Sequence, residues 1–294
     1  MPELPEVETV RRGLARLIVG RQVAGVDAVN PGSFRGDPSA LVGRAFIGAR
    51  RRAKLLLLDL DGEQSLAVHL KMTGQLVWRP CDDADSTPDG QGWGGGHPSD
   101  SLIGQLPDRS TRVVLDLDDG SHLFFNDQRK FGWMWLMPRP EADALTTGYG
   151  PEPMDADAWP LFSKRVRRHQ RAPIKAALLD QQVVAGIGNI YADEALWAAR
   201  VHPSTQVQML SDKALRRILT AAADVMELSI DLGGSTARNY VDAEGRRGAY
   251  LDFAQVFRRE GQPCHRCGTT IVKTRVAGRG THLCPHCQKA PKLV

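Results

Sequence analysis

The sequence has no apolar run long enough to cross a bilayer as a helix; Leu55–Leu58 is a run of strand length only. Its amino terminus lacks a basic start followed by an apolar core, so no secretory leader is expected and the expected location is cytoplasmic. Cysteine is scarce, five in 294 residues, and four of the five fall in two CxxC pairs. In a non-secreted chain that usage favours metal over disulfides. Net charge is small, +4, but unevenly placed. Residues 1–160 hold 17 Lys/Arg and 23 Asp/Glu, a balance of −6, whereas residues 161–294 hold 21 and 11, a balance of +10. A basic carboxyl-terminal half suits a polyanionic partner.

What is present begins at the first residues, Met1-Pro2-Glu3-Leu4-Pro5-Glu6-Val7-Glu8. Once Met1 is removed, Pro2 presents a secondary amine with Glu3 and Glu6 close by. A secondary amine attacking a sugar C1′ yields an iminium that keeps its positive charge and acts as an electron sink. The same two prolines and three glutamates also describe an ordinary helix start, with acids at the positive end of the dipole. Leu4, Val7, Val10, Leu14 and Leu17 follow helical spacing, which predicts an amphipathic helix over residues 3–18 with Arg11, Arg12 and Arg16 outward.

Short β-rich runs follow at Val23–Val29, Ala45–Ile47, Leu55–Leu60, Leu66–Leu70, Val113–Leu117, His122–Phe125 and Trp133–Leu136. Turn pairs Asp61-Gly62 and Asp119-Gly120 separate strands, which predicts a sandwich or barrel. Residues 79–110, rich in Asp, Ser and Gly, read as a mobile surface loop. Residues 138–160, with Gly150-Pro151-Glu152-Pro153, read as a linker. Ser163–Asp180 is basic and helical in pattern, and Ile190–Arg200 resumes a helix after the break at Gly186 and Gly188. Two glycines allow close backbone approach, and the helix start beyond them can bind phosphate; a plain helical hairpin is the other reading.

Cys264-x2-Cys267-x16-Cys284-x2-Cys287 has the spacing of a tetrahedral thiolate site for one structural Zn2+, redox cysteine pairs being the other reading. His265, His282 and His286 are then bystanders and Cys81 a free thiol.

The first ten residues resemble the amino terminus of bacterial formamidopyrimidine-DNA glycosylase, in the family that also holds endonuclease VIII. Companion stretches recur in order: Arg51-Arg52-Ala53-Lys54, His69-Leu70-Lys71-Met72-Thr73-Gly74, Asp127-Gln128-Arg129-Lys130-Phe131-Gly132, Gly186-Ile187-Gly188-Asn189-Ile190-Tyr191-Ala192 and the four cysteines. The resemblance implies an α+β multidomain fold. It comprises a catalytic β-sandwich flanked by helices (1–137), the linker (138–160), a helix–two-turns–helix DNA-binding domain (161–249) and a β-hairpin zinc finger (250–294).

The implied activity is that of a bifunctional DNA glycosylase and abasic-site lyase, acting on 8-oxoguanine and formamidopyrimidines in damaged double-stranded DNA. The resemblance makes Pro2 the nucleophile, Glu3 the proton donor, and Glu6, Lys54 and Arg279 further members of the catalytic set. It makes Met72, Arg129 and Phe131 the residues that fill the void left by an extruded nucleotide, and Arg171, Lys175 and Asn189 phosphate or DNA contacts. Ser110 falls where many relatives carry a DNA-contacting histidine, and Lys71 replaces a common glycine. The implied protein is a bacterial, nucleoid-associated monomer with no membrane partner. The alternatives are an endonuclease VIII-type enzyme for oxidised pyrimidines and a damage-binding relative without catalysis.

Overall fold

The computed structural model describes residues 1–81, 92–97, 102, 104–235 and 250–291. Among these, the chain forms two compact units, Met1–Thr147 with Ile230–Ala249, and Gly148–Ser229 with Tyr250–Val294. Residues 230–235 thus cluster with the first unit although they fall within the stretch 161–249.

The first unit opens with helix α1 (Leu4–Leu17), as the apolar spacing predicts, and its Leu4, Val7, Val10 and Leu14 are buried. Among the described residues ten strands follow: β1 (Val23–Asp27), β2 (Phe34–Arg35), β3 (Phe46–Arg52), β4 (Leu55–Leu60), β5 (Gln64–His69), β6 (Gly74–Arg79), β7 (Trp93–Gly96), β8 (Thr111–Leu117), β9 (His122–Asp127) and β10 (Trp133–Pro138). They form two five-stranded sheets, in the orders β1-β8-β9-β6-β7 and β2-β10-β5-β4-β3. Every pairing is antiparallel except the short parallel contact of β2 with β10. The apolar faces meet in one core holding Leu56, Leu58, Val68, Leu76, Val113, Leu115, Phe125 and Met134, with Val7, Val10 and Leu14 of α1 packed into it. The strands at the centre of the sandwich are buried over most of their length, β4 throughout, β5 and β9 at consecutive residues, while β8 alternates in its second half. Helix α2 (Arg139–Ala144) places Ala142 against Leu55, Leu57 and Ala67 on the outer side of the second sheet.

One expectation is corrected in this unit. Within 79–110, read as a surface loop, residues 93–96 form buried strand β7, paired with β6 from Gln75↔Gly96 to Trp78↔Trp93. The rest of that stretch lies partly outside the described residues. The glycines that suggest a loop serve close packing: a Cβ on Gly96 would stand 2.4 Å from the carbonyl oxygen of Gly74. Trp93 in turn lies on Gly13 of α1, where any Cβ would come within 2.1 Å of its ring.

In the second unit α3 (Ala158–Val166), α4 (Ile174–Leu179), α5 (Asn189–Ala198), α6 (Asp212–Asp231) and α7 (Tyr250–Phe253) precede a two-stranded hairpin, β11 (Val272–Val276) and β12 (Arg279–Leu283). The stretch 163–180 is not one helix. A 3-10 turn at Arg167–His169 and Pro173, which cannot donate to a preceding turn, separate α3 from α4. Helix α6, boundary residue of the two units at its end, buries Leu215, Ile218, Leu219, Ala222 and Met226 at helical spacing.

Candidate functional site

Pro2 is buried immediately ahead of α1, and Glu3 is the N-cap residue in extended conformation. Glu3 and Glu6 form a reciprocal capping box: the Glu3 side chain accepts the amide of Glu6, and the Glu3 amide donates to Glu6 Oε2 at 2.8 Å. The other carboxylate oxygen of Glu6 accepts the Ser235 amide at 2.8 Å. Both acids are buried. The helix-start reading of this stretch is borne out by that geometry. Orphan N–H groups of the first turn set a positive field at Pro2.

Lys54 is buried at the start of β4, after Ala53 in a left-handed conformation (φ 52°). Close to it, and not singled out from sequence, is His69 at the end of β5. Its Nδ1 accepts the Lys71 amide at 3.0 Å, so the neutral ring carries its proton on Nε2. Burial, reinforced by the positive charges of Lys71 and Lys54, pushes its pKa down to about 3. His69 is therefore a neutral hydrogen-bond donor at physiological pH. Its position inside the quoted motif was the only sequence signal.

Lys71 has φ 48°, a left-handed conformation that glycine adopts freely and a lysine only at a cost of roughly 1–2 kcal/mol.

Met72 and Phe131 are 38% and 55% exposed, large apolar side chains presented to solvent from two adjoining loops. Asp127, wholly buried, ties those loops together. Its Oδ1 accepts the hydroxyl of Thr73 and, at 3.1 Å, the amide of Arg129, while its Oδ2 accepts the amide of Gly132 at 2.6 Å. Thr73 Oγ1 also accepts the Arg129 amide at 3.0 Å. The Arg129 guanidinium stands 4.9 Å from the centre of the Phe131 ring. Two apolar groups and one bidentate cation are thus displayed from a fixed base, which suits insertion into a base stack.

Ser110 does not join this surface. It is buried, and its hydroxyl donates to Asp108 Oδ1 at 2.6 Å, closing a local turn.

In the second unit Asn189 is the first residue of α5 and donates through Nδ2 to the carbonyl of Gly280 at 3.0 Å. Arg171 is exposed in the basic stretch with Lys164, Arg165 and Arg168. Lys175, expected on the surface as a phosphate contact, is 0% exposed. Its Nζ pairs with buried Asp193 at 2.6 Å, because three acceptors converge on it inside the unit. Beside Asp193 on α5, buried Glu194 accepts the amides of Gln255, Val256 and Phe257 at 2.8, 2.9 and 2.8 Å. Neither acid stood out from sequence.

Arg279 is exposed on the first position of β12, just after a two-residue hairpin turn in which Ala277 (φ 48°) and Gly278 (φ 77°) both have positive φ. At the other end of the hairpin, the four Sγ atoms of Cys264, Cys267, Cys284 and Cys287 lie within 4.8 Å of one another. Zn–S bonds of about 2.3 Å in a tetrahedron require S···S separations of roughly 3.8 Å. Cys267 stands 3.5 Å from Cys284 and from Cys287, and Cys264 4.0 Å from Cys287, so the donor set fits. These cysteines hold one structural zinc, and Trp197, Val256 and Ile271 pack around the pair Cys264 and Cys284. Cys81 is a free thiol.

Among the described residues no helix is long and apolar enough to cross a membrane.

Three family descriptions match the chain: the formamidopyrimidine-DNA glycosylase N-terminal domain over residues 1–134, its H2TH domain over 149–241, and the zinc finger found in FPG and IleRS over 261–290. A curated formamidopyrimidine-DNA glycosylase of Chloroflexus aurantiacus is 42% identical, with 98% of each chain covered. That of Gloeobacter violaceus is 41% identical over the whole of both. Among solved structures, a Lactococcus lactis FPG variant in complex with Fapy-dG containing DNA has a TM-score of 0.84 at 32% identity, covering 98% of this chain and 100% of that one. The L. lactis Fpg complex with abasic-site DNA has the same TM-score, identity and coverage.

Proposed function

The chain belongs to the formamidopyrimidine-DNA glycosylase family and is a DNA glycosylase for oxidised purines with abasic-site lyase activity; from that premise we propose the residues that carry the reaction. The observation that carries the reading is buried Pro2 directly ahead of a helix whose Glu3 and Glu6 are locked in a reciprocal capping box.

With Met1 removed, the Pro2 amine attacks C1′ of the extruded nucleotide and the bond from C1′ to the base breaks. Glu3 protonates the ring oxygen O4′ as the sugar opens, leaving an iminium between Pro2 and C1′. Glu6 holds the Glu3 backbone in place. Loss of a C2′ proton then breaks the C3′–O bond in β-elimination, and a second, δ-elimination breaks the C5′–O bond, leaving phosphate at both ends of the gap. Lys54 and Arg279 serve phosphate binding and proton movement at those steps. Met72 and Phe131 replace lost stacking while Arg129 pairs with the orphaned base. Arg171 and Asn189 hold the DNA backbone. Zinc supplies no chemistry to these bonds; it shapes the finger that presents Arg279.

The division into 1–137, 138–160, 161–249 and 250–294 is supported by the extents of the three family matches. We infer action as a monomer on chromosomal DNA; the bacterial relatives support the bacterial setting.

A wider lesion range is the second reading, favoured by the structural likeness to wild-type L. lactis FPG bound to DNA containing an oxidised pyrimidine (TM-score 0.83). A panel of duplexes bearing 8-oxoguanine, a formamidopyrimidine or an oxidised pyrimidine, each opposite cytosine and adenine, tests both. Fastest excision of the purine lesions is expected. Preference for pyrimidine lesions overturns the purine assignment, and binding without cleavage of any lesion overturns the catalytic one.

A further inference from the structure

The segment Gly280–His282 is held by side chains of α4 and α5 at three successive residues. Thr281 Oγ1 accepts Lys175 Nζ at 2.8 Å and donates to the Arg279 carbonyl at 3.0 Å. The Gly280 carbonyl accepts both Lys175 Nζ and Asn189 Nδ2, each at 3.0 Å. The His282 amide donates to Asp193 Oδ2 at 2.9 Å, and the other oxygen of Asp193 accepts Lys175 Nζ at 2.6 Å. Both side chains of the ion pair are wholly buried.

A two-stranded hairpin is marginal on its own, and β12 pairs on one side only, with β11. Its free edge faces α5 with carbonyls and an amide that need partners once buried. Lys175 uses all three ammonium protons on this segment and on Asp193, so it has none for a phosphate. We propose that Lys175 and Asp193 are positioning residues for Arg279: a buried ion pair that fixes β12 on α5 and so sets where the guanidinium stands. The proposal rests on the reading that Arg279 acts in strand cleavage. Displacement of a reacting group by about 1 Å is enough to lose roughly a hundredfold in rate.

The test uses the full-length, zinc-loaded protein with Lys175→Met, Asp193→Asn and, as a control, Arg279→Ala. Four quantities are measured: zinc content, amide exchange across Arg279–His282, cleavage at a preformed abasic site, and the salt dependence of duplex binding. Asp193→Asn is expected to speed His282 amide exchange at least tenfold with zinc retained. Both pair variants are expected to slow cleavage at least tenfold while leaving the salt slope as in wild type. Loss of a phosphate contact would instead flatten that slope by about 0.9, which would overturn the proposal. Unchanged exchange at His282 in Asp193→Asn overturns it too, whatever the activity. Wild-type cleavage by Arg279→Ala counts against the Arg279 reading alone, since the exchange result still decides whether the pair holds β12. If a single variant does not fold, Lys175→Met with Asp193→Leu replaces the pair by apolar atoms and carries the same measurements; wild-type exchange and cleavage in that protein also overturn the proposal.

Discussion

Acid should destabilise the first unit through His69. Its ordinary pKa of 6.5 falls to about 3 in the fold, first because the ring is buried and then because Lys71 and Lys54 stand near it. The unfolded chain therefore takes up a proton between these values that the folded chain does not. Stability is complete above pH 6.5 and is lost progressively as pH falls towards 3. At about 1.4 kcal/mol per unit, the loss from pH 7 to pH 5 is ~2 kcal/mol for this residue. In a unit of this size that lowers the melting temperature by roughly 4–8 °C.

His69→Asn keeps an acceptor for the Lys71 amide and removes the titration. Urea unfolding followed by tryptophan fluorescence, run at pH 7 and pH 5 on both proteins, isolates the His69 contribution because other histidines contribute to both. Wild type is expected to lose ~2 kcal/mol more than His69→Asn. Equal losses, or an imidazole resonance from His69 titrating near 6.5 in the folded protein, would refute the reasoning. The same neutrality makes His69 a donor whose function does not change between pH 6 and 8.

Glu3→Gln removes the proposed proton donor while keeping its size, so single-turnover base excision should fall at least a hundredfold with duplex affinity within threefold of wild type, on the scale of general acid catalysis of about 10²–10⁴; excision at the wild-type rate would remove Glu3 from the role. Arg129→Ala should narrow the preference for 8-oxoguanine opposite cytosine over adenine by about one to two decades, the equivalent of roughly 1–3 kcal/mol for a bidentate base contact, and an undiminished preference would show that another group reads the base. Cys267→Ser should release zinc and weaken duplex binding together, measured by metal analysis and anisotropy, since ligand set and hairpin fold as one unit.

Much of this molecule is legible wherever local pattern and tertiary demand agree. The α1 stripe Leu4, Val7, Val10 and Leu14 is buried as its period requires, and β4 matches its run Leu55–Leu60 residue for residue. The cysteine spacing locates the finger. Sequence fails where burial is decided by distant residues. Lys175 lies in a basic stretch and looks solvated; its three acceptors come from Asp193, Gly280 and Thr281, the last two about a hundred positions away. Ser110 looks like a surface replacement until Asp108 claims its hydroxyl. Strand β7 hides in glycines that normally signal a loop, and only their distant neighbours explain them, Leu102 and Val77 against Gly94 and Gly74 against Gly96. Helix α6 carries the helical period without any motif, so a motif-led reading does not reach it.

The central claim is that the amine of Pro2 becomes covalently joined to the sugar. Borohydride reduction during turnover of an 8-oxoguanine duplex, followed by mass mapping of the linked peptide, measures this directly. The expected result is a stable adduct on the amino-terminal peptide through the Pro2 nitrogen, present when Met1 has been removed and lost when Met1 is retained or Pro2 is blocked. Undiminished trapping by the Met1-retaining protein, or an adduct on a lysine such as Lys54, would contradict the account.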